Sequence, residues 1–472
     1  MRMSHLPNKI SFQAIGAAVA VPAIALLVHA LAYWPGIMTY DSVRQYDQAL
    51  SGDFDDWHPP AMGWIWRQLH VLGAGPSPML MLQLLLYWSG FALLFLWAWK
   101  RDRRGLACCV LVAGLLPIPM AIMGTILKDC LMAGALLWAT AVVALMRPGR
   151  DRALRLVAAA LICFAAMLRF NAFLAGLPLL VALMPARWLS HWSRRAMAVG
   201  GAAILLLACL PVANRLIGAE PTDVALSQMI FDMGGITEFS GKDAFPPLPV
   251  RDPVAVNHRC YTPVKWDSYS WWVDAPCPIG FELVRQTFKS RHQRPAVAWL
   301  GAIVTHPLAY AEHRLHHFNI NSRFLIHDEV ERPVQNQSAP NPWGYQVAPS
   351  RLRDIIDGAA LSMSHSPLGW PILWLAVAFG ILAIARGLPS APVLVPLTLS
   401  VLLYGLGYLW MSVAAEMRYH LWTIMGTAVA LLIAASDMAH GAMPPRRSLL
   451  LAFTPAIIVA LLCSLWRIVP GL

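Results

Sequence analysis

The sequence predicts an all-α polytopic membrane protein with about eleven transmembrane helices, and three observations predict it. Hydrophobic residues fill 58% of the 472 positions and charged residues only 13%, where a soluble domain carries roughly 25% charge. Apolar stretches recur at or near the ~20 residues that a ~30 Å hydrocarbon core requires. They begin near residues 10, 77, 105, 130, 154, 171, 196, 367, 390, 413 and 448. Third, the net charge of +11 is concentrated between these stretches, at 100–104, 147–155, 187–195, 386 and 446–447. That placement is a topology signal, with the basic clusters on the cytoplasmic side, and it excludes nucleic acid as a partner. All five clusters fall on one side only if residues 218–365 stay wholly outside.

The first stretch follows Arg2 and Lys9 and resembles a secretory signal. Its apolar run from Ile10 to Ala32 exceeds the ~7–15 residues of a signal core, so it reads as an uncleaved span. An unusual loop follows it, within residues 35–76. Five aspartates (Asp41, Asp47, Asp53, Asp55 and Asp56) stand just beyond the first span of an otherwise lipid-adapted chain. At helical spacing Asp41, Arg44, Gln45 and Gln48 share one face, while Val43, Tyr46 and Leu50 turn the other way. This describes a short amphipathic helix on the membrane surface, with Asp41 either facing a cavity or serving as a first-turn carboxylate. Asp56-Trp57-His58-Pro59-Pro60 reads as a loop entering an interfacial helix, because proline suits a first helical turn. Asp56 and His58 there are either cap residues or ligands for a sugar hydroxyl, a phosphate or a metal.

Further along, ionisable residues interrupt apolar stretches: Lys128-Asp129, Arg169-Phe170-Asn171, and Glu416-Met417-Arg418-Tyr419-His420. An ionisable group in the bilayer costs at least ~2.5–3.5 kcal/mol on insertion scales, and by default it marks function. The structural alternative is pairing between sequence neighbours, Lys128 with Asp129 or Glu416 with Arg418. On the expected topology all three clusters lie near the outer surface, where Lys128, Arg169 and Arg418 would receive an anionic headgroup, a phosphate above all.

Residues 218–365 form the expected external insert, placed between an N-terminal module (1–217) and four last spans (366–472). Within it, 296–318 suits an amphipathic interfacial helix, and 319–350 a polar loop able to order over a substrate. His313, His316 and His317, at i, i+3 and i+4, lack a carboxylate or cysteine at a zinc-site spacing and read as interfacial histidines. Trp266, Tyr269, Trp271 and Trp272 suit either sugar stacking or interface anchoring. Six of the eight cysteines lie in apolar stretches, as small hydrophobes. Cys260 and Cys277 flank a polar external loop, where an oxidising compartment permits a disulfide.

Together, Asp41-Ser42-x-x-Gln45, Asp56-Trp57-His58-Pro59-Pro60, Lys128-Asp129, Arg169-x-Asn171 and Arg418-Tyr419 resemble the GT-C superfamily of integral-membrane glycosyltransferases. The protein O-mannosyltransferases and the lipid A aminoarabinose transferase belong to it. The resemblance covers the first half well, the last quarter loosely and the insert not at all. It implies transfer of a sugar from a polyprenyl-phosphate carrier to a glycan, lipid or protein acceptor at the outer face of a bacterial inner membrane. Asp41 takes the place of the family's first-loop catalytic acid, as general base. Gln45, Lys128, Asp129, Arg169, Asn171, Glu416, Arg418 and Tyr419 are then expected at the substrate. Family members often carry paired acidic residues where this chain has Asp41-Ser42, so a second carboxylate has to come from Asp56. No cofactor is required, although Asp41, Asp56 and His58 could hold a divalent cation. A lipid-linked glycan ligase or polymerase would use the same phosphate recognition. A transporter or flippase of an anionic lipid would place its charges at the bilayer midplane instead.

Overall fold

The computed structural model describes residues 12–146, 151–327 and 331–469. Arg2, Lys9, Arg147 and Arg150 of the topology reading lie outside the described residues. The chain divides into two compact units. Unit 1 comprises Met1–Glu220, Arg332–Gly405 and Arg418–Leu461; unit 2 comprises Pro221–Glu331, Leu406–Met417 and Leu462–Leu472.

Helix follows helix through the first part of unit 1. α1 (Phe12–Tyr33) leads through a two-residue strand, β1 (Ile37–Met38), into α2 (Tyr40–Ser51) and α3 (Ala61–Leu69). Then come α4 (Ser77–Lys100), α5 (Arg104–Ala113), α6 (Pro117–Met123), β2 (Thr125–Ile126) and α7 (Lys128–Leu145). α8 (Arg152–Leu168), α9 (Ala172–Ala182), α10 (Ala186–Leu189) and α11 (Trp192–Ile217) complete this part. Unit 2 holds α12 (Ala225–Ser240), α13 (Pro253–Cys260), α14 (Phe281–Ser290), α15 (Pro295–Thr305) and α16 (Pro307–Asn321). The chain continues with α17 (Arg351–Ser364), α18 (Pro371–Ala385), α19 (Ala391–Gly407), α20 (Leu421–Ala439) and α21 (Arg446–Ile468).

The protein is thus a helical, multi-pass membrane protein, with one two-residue parallel strand pairing among the described residues. Each of the eleven apolar stretches meets a helix. Five are long and apolar enough to cross a membrane alone among the described residues: α4, α7, α11, α20 with its preceding turn, and α21. α5 and α6, bent by 53°, count as a sixth if they form one span. α8, α9, α18 and α19 are shorter, at 17, 11, 15 and 17 residues. α8 stops at Leu168 because Arg169 is extended (φ −147°, ψ 145°), and α9 restarts after Asn171.

In unit 2 the expected helix over 296–318 is two helices, broken at His306-Pro307, where proline disfavours helical geometry in its predecessor. α15 buries none of its residues, whereas α16 buries Ala309, His313, Arg314, His317 and Asn321. The interfacial reading is therefore corrected for two of the three histidines: His313 and His317 are fully buried, while His316 is exposed. Asp232 on α12 receives His313 Nε2 at 3.1 Å, Arg314 Nη2 at 2.6 Å and Trp299 Nε1 at 2.9 Å. Tyr261 shares a 2.8 Å hydrogen bond with His313 Nδ1, and His317 Nδ1 lies 2.7 Å from the Pro263 carbonyl. Burial pushes His317 down to about 3, so a neutral imidazole suits this core. Cys260 and Cys277 are joined by a disulfide.

Candidate active site

The site begins with a strand pairing two residues long. Ile37 pairs with Thr125 and Met38 with Ile126, in parallel. Gly36, at φ +114°, makes the turn into it, and a Cβ there would stand 2.7 Å from Ile126 Cδ1. Gly124 opens the other strand so closely against Tyr33 that a Cβ would lie 2.3 Å from the ring. Gln83 Nε2 donates to the Met123 and Thr125 carbonyls, at 2.6 and 2.9 Å, which holds the turn between α6 and α7. α2 then starts from Thr39, whose hydroxyl accepts from Ser42 N while Ser42 Oγ accepts from Thr39 N, a reciprocal cap. Ser42 Oγ also lies 2.5 Å from the Ile126 carbonyl, tying α2 to the strand that leads into α7. Asp41 and Lys128, each within the first turn of its helix, therefore leave adjacent strand ends.

Three chain-distant bases converge on Asp41. Arg418 Nη1 donates to Asp41 Oδ2 at 2.9 Å, and Lys128 Nζ stands 3.8 Å from the same oxygen. His58 Nε2 is 3.7 Å from Oδ1, and its Nδ1 is 2.9 Å from Lys128 Nζ. An ammonium can only donate, so His58 Nδ1 accepts and Nε2 carries the proton, directed at the carboxylate. Burial pushes His58 down to about 3, helped by the Lys128 charge, and the ring is neutral at pH 7. For Asp41, burial raises the carboxyl, but the Arg418 and Lys128 charges outweigh it and hold it well below the usual carboxylate range.

A second ion pair adjoins the first along the chain. Asp129, next to Lys128 and fully buried, accepts from Arg169 Nη1. The Arg169 guanidinium lies over the Tyr419 ring at 4.3 Å, and that of Arg418 approaches it at 5.6 Å. Cation–π attraction thus links the two pairs. Pairing between sequence neighbours, the structural alternative, does not describe these contacts: Lys128 and Arg418 go to Asp41, and Arg169 goes to Asp129. Three cations and two carboxylates, with His58 neutral, make up these pairs.

The remaining expected site residues stand as follows. Gln45 is buried and donates back to the Asp41 carbonyl at 3.2 Å, and its Oε1 has no partner among the described residues. The Asp129 Oδ2 and Asn171 Nδ2 atoms are likewise buried without a partner. Asp56 is held through its backbone, its N–H donating to the Glu220 carbonyl at 3.0 Å. Glu416 belongs to unit 2, where its charge helps raise the Lys265 amine. The expected division of α2 into two faces is corrected: Tyr46 is buried together with Gln45 and Gln48. Its ring meets Trp66, Trp343 and Tyr345, so the side of the helix that carries Tyr46 is covered too, while Tyr40, Arg44, Asp47 and Leu50 are exposed. Part of the expected 319–350 loop does this covering. Ser338 Oγ accepts from Met38 N at 3.0 Å, and Ala339 N donates to the Met38 carbonyl at 2.7 Å. The Thr39/Ser42 cap and the Asp129–Arg169 pair were not anticipated. The first was visible as a Thr-x-x-Ser spacing; the second had no sequence signal.

No protein-family model and no curated protein matches the sequence. Among solved structures, ArnT from Cupriavidus metallidurans bound to undecaprenyl phosphate is similar at 13% identity, over 93% of this chain and 85% of that one, with a TM-score of 0.35. Archaeal oligosaccharyltransferase AglB from Archaeoglobus fulgidus, in complex with an inhibitory peptide and a dolichol-phosphate, is similar at 11% identity and a TM-score of 0.38. It is covered over 56% of its length by 97% of this chain.

Proposed function

We propose that this chain is an inverting glycosyltransferase that moves a sugar from a polyprenyl-phosphate carrier to an acceptor hydroxyl. The observation that carries the reading is the convergence of His58, Lys128 and Arg418 on the single carboxylate of Asp41. A carboxylate and the cations gathered on it match the two demands of the reaction. The acceptor oxygen loses a proton as it attacks the anomeric carbon, and the carrier phosphate gains negative charge as its bond to that carbon breaks.

In the resting arrangement Asp41 is a weak base, because Arg418 and Lys128 hold its charge. An arriving donor phosphate competes for those same cations. As they turn to the phosphate, Asp41 loses what keeps its proton affinity low and becomes able to take the acceptor proton, a role typically worth ~10²–10⁴-fold. Arg418 and Lys128 then stabilise the departing phosphate, as donors already positioned before the reaction. Arg169, held by Asp129, keeps Tyr419 beside Arg418. His58 keeps Lys128 in place by accepting its hydrogen bond, and Asn171 and Gln45 offer partnerless polar atoms for sugar hydroxyls. Lys128 and Arg418 supply the positive charge at the phosphate, so no metal enters this scheme.

The same reading assigns the eleven helical segments to eleven crossings, keeps 218–365 outside and puts the site at the outer face of a bacterial inner membrane. The test is transfer in proteoliposomes from a radiolabelled polyprenyl-phosphate sugar, with and without a chelator. Asp41→Asn should lower the rate at least 10²-fold at unchanged expression and melting temperature, and chelation should leave the wild-type rate unaltered. An Asp41→Asn protein with wild-type transfer would remove the general-base assignment.

A further inference from the structure

Unit 2 contains a group of exposed tryptophans that the proposed chemistry does not use. Trp271 and Trp272 are 52% and 45% exposed, high values for the largest apolar side chain. Their rings stand 4.9 Å apart at 74°. Each also meets an aromatic ring of the unit's core: Trp272 meets Trp266 at 5.3 Å, and Trp271 meets Phe281 at 5.3 Å.

The loop that carries them, 265–277, is rigidly tied at both ends. The Cys260–Cys277 disulfide closes it, and Cys277 N donates to the Ser268 carbonyl at 2.8 Å. Lys265 forms an antiparallel bridge with Ala414, and Trp266 N donates to the Val413 carbonyl at 2.9 Å. Tyr269 is fully buried, with its hydroxyl donating to Asn257 Oδ1 at 2.7 Å. Two large aromatic surfaces are therefore presented in a fixed arrangement, and ordering them on binding costs little entropy. Asp267, paired to Lys265 at 3.0 Å, and the exposed Asp274 lie in the same loop. Carboxylates accept hydrogen bonds from hydroxyl groups.

We infer that Trp271 and Trp272 form a carbohydrate-binding corner, whose ligand is a glycan that lays sugar rings on the indoles and gives hydroxyls to the neighbouring carboxylates. The competing occupant is a lipid surface, since tryptophan also favours membrane interfaces. Charge argues against it. The loop holds two carboxylates to one amine, the wrong sign for an anionic leaflet, which attracts basic segments. Unit 2 also has a better lipid-facing element in α15, which carries no charged residue and leaves Val297, Leu300 and Val304 exposed. Naming this glycan the acceptor rests on the glycosyltransferase reading; the binding itself does not.

The test uses full-length protein in nanodiscs of phosphatidylethanolamine and phosphatidylglycerol, titrated with chitohexaose, maltohexaose and cellohexaose. Saturation-transfer NMR reads contact with the sugar ring protons. At least one hexasaccharide should bind, and Trp271→Ala and Trp272→Ala should each weaken it tenfold or more, while Trp271→Phe keeps part of the affinity. An unchanged melting temperature and an intact Cys260–Cys277 bond show that the variants are folded. Binding by none of the three sugars, or equal binding by both alanine variants, would overturn the proposal. So would quenching by brominated lipid that disappears in the variants, which assigns the corner to the bilayer. Asp41→Asn should bind the sugar like wild type. Sugar binding by wild-type protein that shows no transferase activity would refute the catalytic reading and leave this one standing.

Discussion

Asp41 shows how little a residue's identity says before its partners are known. In sequence it is one aspartate among five in the loop and suits a helix N-terminus as well as a cavity. Its meaning comes from Arg418, 377 positions away, and from a histidine and a lysine in two further segments. His58 is the partner whose state can be titrated. Its imidazole has a folded pKa of about 3 against an ordinary 6.5, so the unfolded chain binds a proton there that the folded chain refuses. The stabilisation is fully present above pH 6.5 and is lost as pH falls through 6.5 towards 3, by up to about 1.4 kcal/mol per pH unit for one proton. Asp41 is also held low, so its own contribution stays in place until the pH drops below about 4. Melting temperatures taken from pH 7.5 to 5 should therefore fall for the wild type and fall less for His58→Gln, which keeps an acceptor for Lys128 without titrating. Parallel slopes in the two proteins would mean that His58 is not the buried neutral base described.

At the scale of elements, the helices were legible and their joints were not. Hydrophobic periodicity and length located eleven helical segments, because a segment of ~20 apolar residues has few alternatives in lipid. The break at Arg169 was visible too, since a guanidinium interrupts an apolar run. By contrast, a two-residue strand pairing leaves no periodicity to read, and yet Ile37–Met38 against Thr125–Ile126 brings Asp41 to Lys128. The burial of Tyr46 was equally hidden, because Trp343 and Tyr345 come from a part of the chain about 300 residues away that nothing local announces. The pairing has a testable weak point in Gly36. Alanine there would need φ near +114° and would bring its Cβ to 2.7 Å from Ile126 Cδ1, so the turn has to shift. Gly36→Ala should lower the melting temperature, by an equivalent of about 1 kcal/mol or more, and reduce the turnover rate more than it weakens donor binding. Ser42→Ala, which loses the bond to the Ile126 carbonyl and the acceptor for Thr39 N, should act in the same direction at about 1 kcal/mol or more. A Gly36→Ala enzyme with wild-type turnover would show that the strand pairing does not position Asp41.

For the whole molecule, the argument turns on which residues share a side of the membrane. Composition and the five long apolar helices establish a multi-pass chain, but the side each loop faces follows from charge alone. The clusters at 100–104, 187–195, 386 and 446–447 act together only if an even number of crossings separates them, and that condition keeps 218–365 on the opposite side. The outer placement of the Asp41 loop depends on the same count, because one apolar segment separates it from the basic inside. The short helices α9, α18 and α19 are where the count can fail, since each is too short to cross alone by length. Single cysteines at Asp102 and Lys242, both exposed, read the two sides directly, in a background where the six free cysteines are serine and Cys260–Cys277 is kept. In intact cells a membrane-impermeant maleimide should label Lys242→Cys and spare Asp102→Cys until the membrane is opened. Labelling of both positions, or of Asp102→Cys alone, would break the topology, and with it the outward-facing site, while the convergence on Asp41 would stand as geometry in search of another reaction.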